Sequence, residues 1–212
     1  MTSSDRPSTS KPVQFWVDPV CPWCWVTARW IIEIAPERGL EIEWQPISLL
    51  IKNEVQPDSS FYPVVHWTYG LLRVMESVRA EDPSRVGDLY VEYGRRIHHD
   101  RERLWDPKLA LAAVGLDTMH AAAADSEEFD VELRSRMDAG LALVGDQVGT
   151  PIIAFRSDDG RDVAAFGPVI TKVPERAKAL ALWDAFVTVT ELEEFWEIKR
   201  TRTVGPAFGD RP

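Results

Sequence analysis

Cysteine is scarce: two residues among 212, too few for the disulfide lattice of a small secreted scaffold or for a zinc site built from cysteine alone. Long hydrophobic runs are missing too. Nowhere do the roughly 18–20 uncharged apolar residues of a membrane span follow one another. The polar opening MTSSDRPSTSKP lacks the apolar core of a secretory signal. Positive charge is in deficit, with 24 Lys and Arg against 34 Asp and Glu for a formal net charge of -10. That balance argues against nucleic acid and anionic membranes as partners, since both attract clustered Lys and Arg. No Gly-x-Gly-x-x-Gly turn or phosphate-binding loop occurs, so bound NAD or ATP has no support. No repeat or low-complexity tract appears either. The chain is therefore expected to be soluble and cytoplasmic, where reductants keep structural disulfides rare. Its two cysteines need a purpose other than stapling.

What is present is enough to build a core. A 45% apolar fraction with 10% aromatics excludes wholesale disorder, and the length suits one domain, or one domain with an insertion. Nine tryptophans suit flat binding surfaces and bulky core packing alike.

The hydrophobic pattern predicts an order of elements. Residues 1–12 read as a flexible tail, and Val13 to Asp18 as a buried strand stopped by Asp18-Pro19. Val26, Trp30 and Ile34, with Ile31 and Ala35 beside them, predict an amphipathic helix that Pro36 and Gly39 terminate. Glu41 to Leu50 reads as a second strand, joined to the first by a right-handed parallel crossover. Helical patterns then cover Phe61 to Arg79, Ser84 to His98, Lys108 to Val114, Met119 to Ala124 and Glu127 to Val144. The last carries a buried stripe of Phe129, Leu133, Met137, Leu141 and Val144. Thr150 to Phe155 and Asp162 to Phe166 predict a hairpin closed by Ser157-Asp158-Asp159-Gly160. Helices from Glu175 to Val187 and near Glu191 to Arg200 end the chain. The expected fold class is α/β, a thioredoxin-like core over residues 13–59 and 145–204, interrupted by a helical insertion or lid over 60–144.

Cys21-Pro22-Trp23-Cys24 follows a strand and opens a helix. Cys21 is thus placed at the helix N-cap, where free N–H groups and the helix dipole stabilise a thiolate. Pro22 suits the first helical position because its missing N–H is not needed there. Cys24 falls on the same face one turn deeper, placed to resolve a mixed disulfide formed on Cys21. Half a zinc site and two inert core cysteines are the competing readings. Val148-Gly149-Thr150-Pro151 opens a β-branched strand and suits a cis peptide turning toward the dithiol, with the Thr150 backbone free to pair with a thiol ligand or substrate.

The segments FWVDPVCPWCW, GTP, FGPVI and IKRTRT, with the helical insertion, resemble the DsbA-like thioredoxin superfamily over nearly the whole chain. Within it the sequence is most similar to the actinobacterial cytoplasmic branch typified by mycothiol-dependent nitroreductase. The resemblance implies a thioredoxin fold with a helical lid, and a redox-active Cys21/Cys24 pair reduced by mycothiol. It also implies reduction of disulfides or nitroaromatic compounds without a tightly held flavin. The partners it implies are a low-molecular-weight thiol and a small-molecule or disulfide substrate. A homodimer is compatible with it, although no motif encodes one.

Around the pair, Trp23 either stacks on a planar substrate or packs on the insertion. Asn53 and Tyr62 flank the passage into the insertion, where they meet the dithiol or serve loop packing. His98 either caps a helix C-terminus as an imidazolium or points into the cleft to move protons. Lys199, Arg200 and Arg202 form a basic cluster, solvated or holding a carboxylate of a thiol cofactor. Two other functions compete with the oxidoreductase. One is an enzyme like 2-hydroxychromene-2-carboxylate isomerase or kappa glutathione transferase, with a single nucleophile; the other is a non-catalytic chaperone or binding protein.

Overall fold

The computed structural model describes residues 11–212, so most of the expected tail lies outside the described residues. β1 (Lys11–Val17) starts two residues ahead of the expected boundary and runs parallel to β2 (Leu40–Pro46), with Phe15 opposite Trp44. Helix α1 (Pro22–Arg38) makes the crossover between them. β3 (Ile152–Arg156) lies antiparallel to β1 and β4 (Asp162–Phe166) antiparallel to β3, giving the order β2-β1-β3-β4.

Side chains alternate across a strand, and β1 uses both faces. Val13, Phe15 and Val17 join the main core with Trp30 and Ile34 of α1 and Trp183 of α7 (Arg176–Thr190). Trp16 turns to the other face and packs with Ile152, Ala154 and Met137. Both α1 and α7 close the first face, tied by the Trp30 indole N–H donating to the Ala179 carbonyl at 2.9 Å.

Helices α2 (Leu49–Lys52), α3 (Tyr62–Glu81), α4 (Val86–Gly94), α5 (Lys108–Ala113) and α6 (Asp130–Val144) all fall between β2 and β3. They meet the sheet and α1 through notches. A Cβ at Gly87, Gly94 or Gly140 would collide with the indole of Trp44, Trp25 or Trp16 respectively, so each glycine lets a bulky ring approach a helix backbone.

Several expected boundaries move. Pro36 does not end α1; it sits exposed inside the last turns, and Gly39, left-handed at φ 62°, ends the helix. β2 stops at Pro46 rather than Leu50, because the Ser48 hydroxyl accepts from the Ile51 N–H and caps α2. The helix expected over Ser84 to His98 is broken into a tight turn at Pro83–Arg85, α4, and a wide π turn at Arg95–His99. Thr118–Asp125 winds as 3-10 helix, and α6 begins at Asp130 after a separate turn over Glu127–Phe129. The closing helix near Glu191 to Arg200 does not form. Glu191, Glu193 and Glu194 gather at the negative end of the α7 dipole, where anions are disfavoured, and Trp196 and Ile198 find no surface to cover.

Candidate active site

Cys21 is the N-cap of α1, extended at φ -71° and ψ 111°, with its sulfur accepting from the Cys24 backbone N–H at 3.4 Å. Pro22 takes the first helical position. Both cysteines are free thiols, Cys21 5% exposed and Cys24 fully buried. Cys21 is held below the ordinary thiol range, first by its side-chain contact with Cys24 and then by the Cys24 and Trp23 backbone N–H groups, against burial and the Asp18 charge. Burial pushes Cys24 well above that range, and Cys21 adds to the push. The two sulfurs therefore differ: one acidic and close to the surface, the other buried and protonated.

Thr150 precedes Pro151 across a cis peptide bond and faces both sulfurs. Its Oγ1 is 2.9 Å from Cys24 Sγ and its carbonyl oxygen 3.9 Å from Cys21 Sγ. The Thr150 hydroxyl donates its only proton to the Trp16 carbonyl at 3.0 Å, so the Cys24 S–H donates to Thr150 Oγ1. The sequence pointed to the Thr150 backbone, whereas the hydroxyl makes the shorter contact.

Asp18 was read from the sequence only as the end of a strand. It is wholly buried, with Oδ1 accepting from Val20 N–H at 2.9 Å and Oδ2 from Leu49 N–H at 2.7 Å. The Thr68 side chain of α3 adds a third hydrogen bond. Burial outweighs these bonds and pushes the carboxyl up to about 6. One carboxylate thus ties the dithiol loop, the start of α2 and an inserted helix together. An acid closing an otherwise buried strand just before the cysteines was the available signal.

His98 is neither an imidazolium cap nor a cleft residue. It is buried in the π turn, its Nε2 bonded to the Pro19 carbonyl at 2.9 Å, so that nitrogen carries the proton. Burial drives its pKa down to about 4, leaving the ring neutral near pH 7. Its ring stacks on Trp25 at 6.1 Å, while His99 Nε2 accepts the Trp25 indole N–H at 3.0 Å.

Trp23 is half-buried, with the Arg202 guanidinium 5.0 Å from its ring centroid. Of the expected basic cluster, Lys199 pairs with Glu197 at 3.7 Å and Arg202 stands over Trp23. Asn53 is the exposed C-cap of α2, and the Tyr62 ring stacks on His66 at 5.3 Å. Among the described residues neither side chain hydrogen-bonds to the dithiol. Among the described residues no group of three or more His, Cys, Asp and Glu is arranged to hold a metal ion, and no helix is long and apolar enough to cross a membrane.

Residues 20–200 match the model of the Rv2466c-like family, described as mycothiol-dependent nitroreductase Rv2466c. The Mycobacterium tuberculosis protein Rv2286c, described as uncharacterized, is 27% identical over 202 residues, covering 90% of this chain and 82% of that protein. A probable DsbA oxidoreductase of Streptomyces coelicolor superposes with a TM-score of 0.57 at 19% identity, covering 91% of this chain and 94% of that one. The cytosolic disulfide reductase DsbM of Pseudomonas aeruginosa does so with 0.54 at 16% identity, covering 84% and 98%. The four-stranded sheet with its inserted helices is the DsbA-like thioredoxin fold that the resemblance implied, built on the interrupted thioredoxin-like core that the order of elements predicts.

Proposed function

Since the chain belongs to the Rv2466c-like family of mycothiol-dependent nitroreductases, we propose that it is a cytoplasmic thiol–disulfide oxidoreductase that draws electrons from mycothiol and reduces disulfides or nitroaromatic compounds. The observation that carries this reading is the asymmetry of the pair: an acidic N-cap thiol at Cys21 above a buried, protonated thiol at Cys24.

In the forward direction the Cys21 thiolate attacks a sulfur of a disulfide substrate, forming a mixed disulfide and releasing one thiolate. Cys24 then attacks Cys21 Sγ, the second substrate thiolate leaves, and the Cys24 proton passes toward Asp18 or the leaving sulfur. With a nitro group as acceptor, the dithiol gives up two electrons and two protons, and nitro becomes nitroso and water. Either course ends in a Cys21–Cys24 disulfide. One mycothiol reopens it through a mixed disulfide on Cys21, and a second mycothiol completes the reset as mycothiol disulfide. No tightly bound cofactor enters. The helices between β2 and β3 act as the lid, with Trp23 offering a planar surface to the acceptor. An isomerase-type site with a single nucleophile leaves the second sulfur without a role.

The test is to oxidise the reduced protein with mycothiol disulfide, glutathione disulfide, a protein disulfide and a nitroaromatic compound, and then re-reduce it with mycothiol or glutathione. Turnover with mycothiol preferred as donor is expected. A dithiol that oxidises with none of the acceptors, or that glutathione resets as fast as mycothiol does, would overturn it.

A further inference from the structure

Among the arginines that no carboxylate neutralises, Arg202 is the one that stands over the dithiol motif. Arg38, Arg73, Arg96, Arg161, Arg176 and Arg211 all pair with carboxylates. Among the described residues no carboxylate lies within ion-pair distance of Arg202, in a protein with 34 acidic side chains against 24 basic ones. Its guanidinium instead stands over the ring of Trp23, the residue between Cys21 and Cys24.

The segment that carries it is fastened on both sides. Upstream, Glu193 pairs with Arg161 at 2.7 Å. Downstream, the Ala207 N–H donates to the Thr171 carbonyl at 2.7 Å, and Phe208 packs on His98 at 5.1 Å between ring centroids. Arg211 bonds both oxygens of Asp100, at 2.8 and 2.9 Å. Arg202 is therefore placed over Trp23 by the fold. A guanidinium on an aromatic face keeps its edge donors free, and that planar fork matches a two-oxygen anion.

We infer that Arg202 is the specificity residue of the acceptor site, favouring acceptors that carry a carboxylate close to the group that reacts with Cys21. The inference rests on Cys21 as the reacting sulfur. It also gives an anion approaching a protein of net charge -10 a positive group over Trp23, beside Cys21.

The experiment compares iodoacetate with iodoacetamide on the reduced Cys24→Ser protein. In both, the Cys21 thiolate displaces iodide from carbon, forming a C–S bond. The two reagents differ in one negative charge, and their rate ratio cancels any change in thiolate fraction. In Arg202→Ala the iodoacetate-to-iodoacetamide ratio should fall roughly three- to tenfold at low salt. Arg202→Lys should restore part of it, and salt of about 0.5 M should shrink the difference. Arg202 is exposed, so these variants leave the core untouched. A ratio unchanged in Arg202→Ala overturns the assignment alone. Modification that bypasses Cys21 in the wild-type protein, read by peptide mass, overturns the dithiol reading and this inference together.

Discussion

The hydroxyl of Thr150 accepts the Cys24 thiol proton across 2.9 Å while its own proton is committed to the Trp16 carbonyl 3.0 Å away. That arrangement suits a protonated Cys24 and is wrong for a thiolate, which needs a donor. When Cys24 ionises, the Thr150 proton must turn from Trp16 to sulfur. Thr150→Val keeps the shape and removes that donor, so resolution of a mixed disulfide on Cys21 should slow about tenfold, the equivalent of one hydrogen bond to a charged group. Stopped-flow release of an aromatic thiol from a preformed Cys21 adduct measures it; an unaltered rate would show that the hydroxyl is only structural.

The cysteines should prove unequal in single-site variants. Cys21→Ser is expected to abolish turnover, and Cys24→Ser to accumulate a mixed disulfide detectable by intact mass. In the reduced wild-type protein at mildly acidic pH, Cys21 should alkylate first, since its thiol lies below the ordinary range and that of Cys24 well above it. Faster modification of Cys24 would reverse the assignment of attacker and resolver.

Asp18 and His98 act on stability in opposite directions. The Asp18 carboxyl rises from 3.8 to about 6 on folding, so its contribution is full at low pH and is lost as pH climbs through 6. The His98 imidazole falls from 6.5 to about 4, so its contribution is full above 6.5 and is lost as pH drops toward 4. Each shift corresponds to roughly 3 kcal/mol, and in the shared window they offset one another. Asp18→Asn should leave a protein that weakens on acidification, and His98→Gln one that weakens as pH rises from 4 to 6.5. Urea denaturation across that range checks this; variants whose profiles slope the same way would refute it.

Gly94→Ala should lower stability by about 1–3 kcal/mol, because the new methyl falls inside the ring of Trp25. Gly205→Ala, with nothing within 4 Å of the added carbon, serves as its control. Equal urea midpoints for the two would mean that α4 moves aside without cost.

The order of elements and the dithiol motif were legible because each rests on local signals: the apolar run before Asp18, Pro22 at a helix start, the turn at Ser157–Gly160. Boundaries failed where a local signal was outvoted. Pro36 looks like a stop, yet a proline near a helix C-terminus on an exposed face gives up little, and the left-handed Gly39 ends α1 instead. The stretch over Ser84 to His98 has one periodicity, but the widening at Arg95–His99 answers to tertiary contacts of His98 and His99 with Pro19, Trp25 and Phe208. At the site, pairwise contacts far apart in sequence were invisible: Thr150 to Trp16, Asp18 to Leu49, Arg202 to Trp23.

The glycine notches give the molecule an optical property. Trp16, Trp25 and Trp44 are each pressed against a helix from the stretch between β2 and β3, and the indole N–H groups of Trp16 and Trp25 donate to Arg136 O and His99 Nε2 in that same stretch. Lifting those helices would expose three rings to water together while Trp30, bonded to Ala179 of α7, keeps its surroundings. Native fluorescence therefore divides into rings that feel the lid and rings that do not, and a red shift confined to the first set reports its opening in the unlabelled protein.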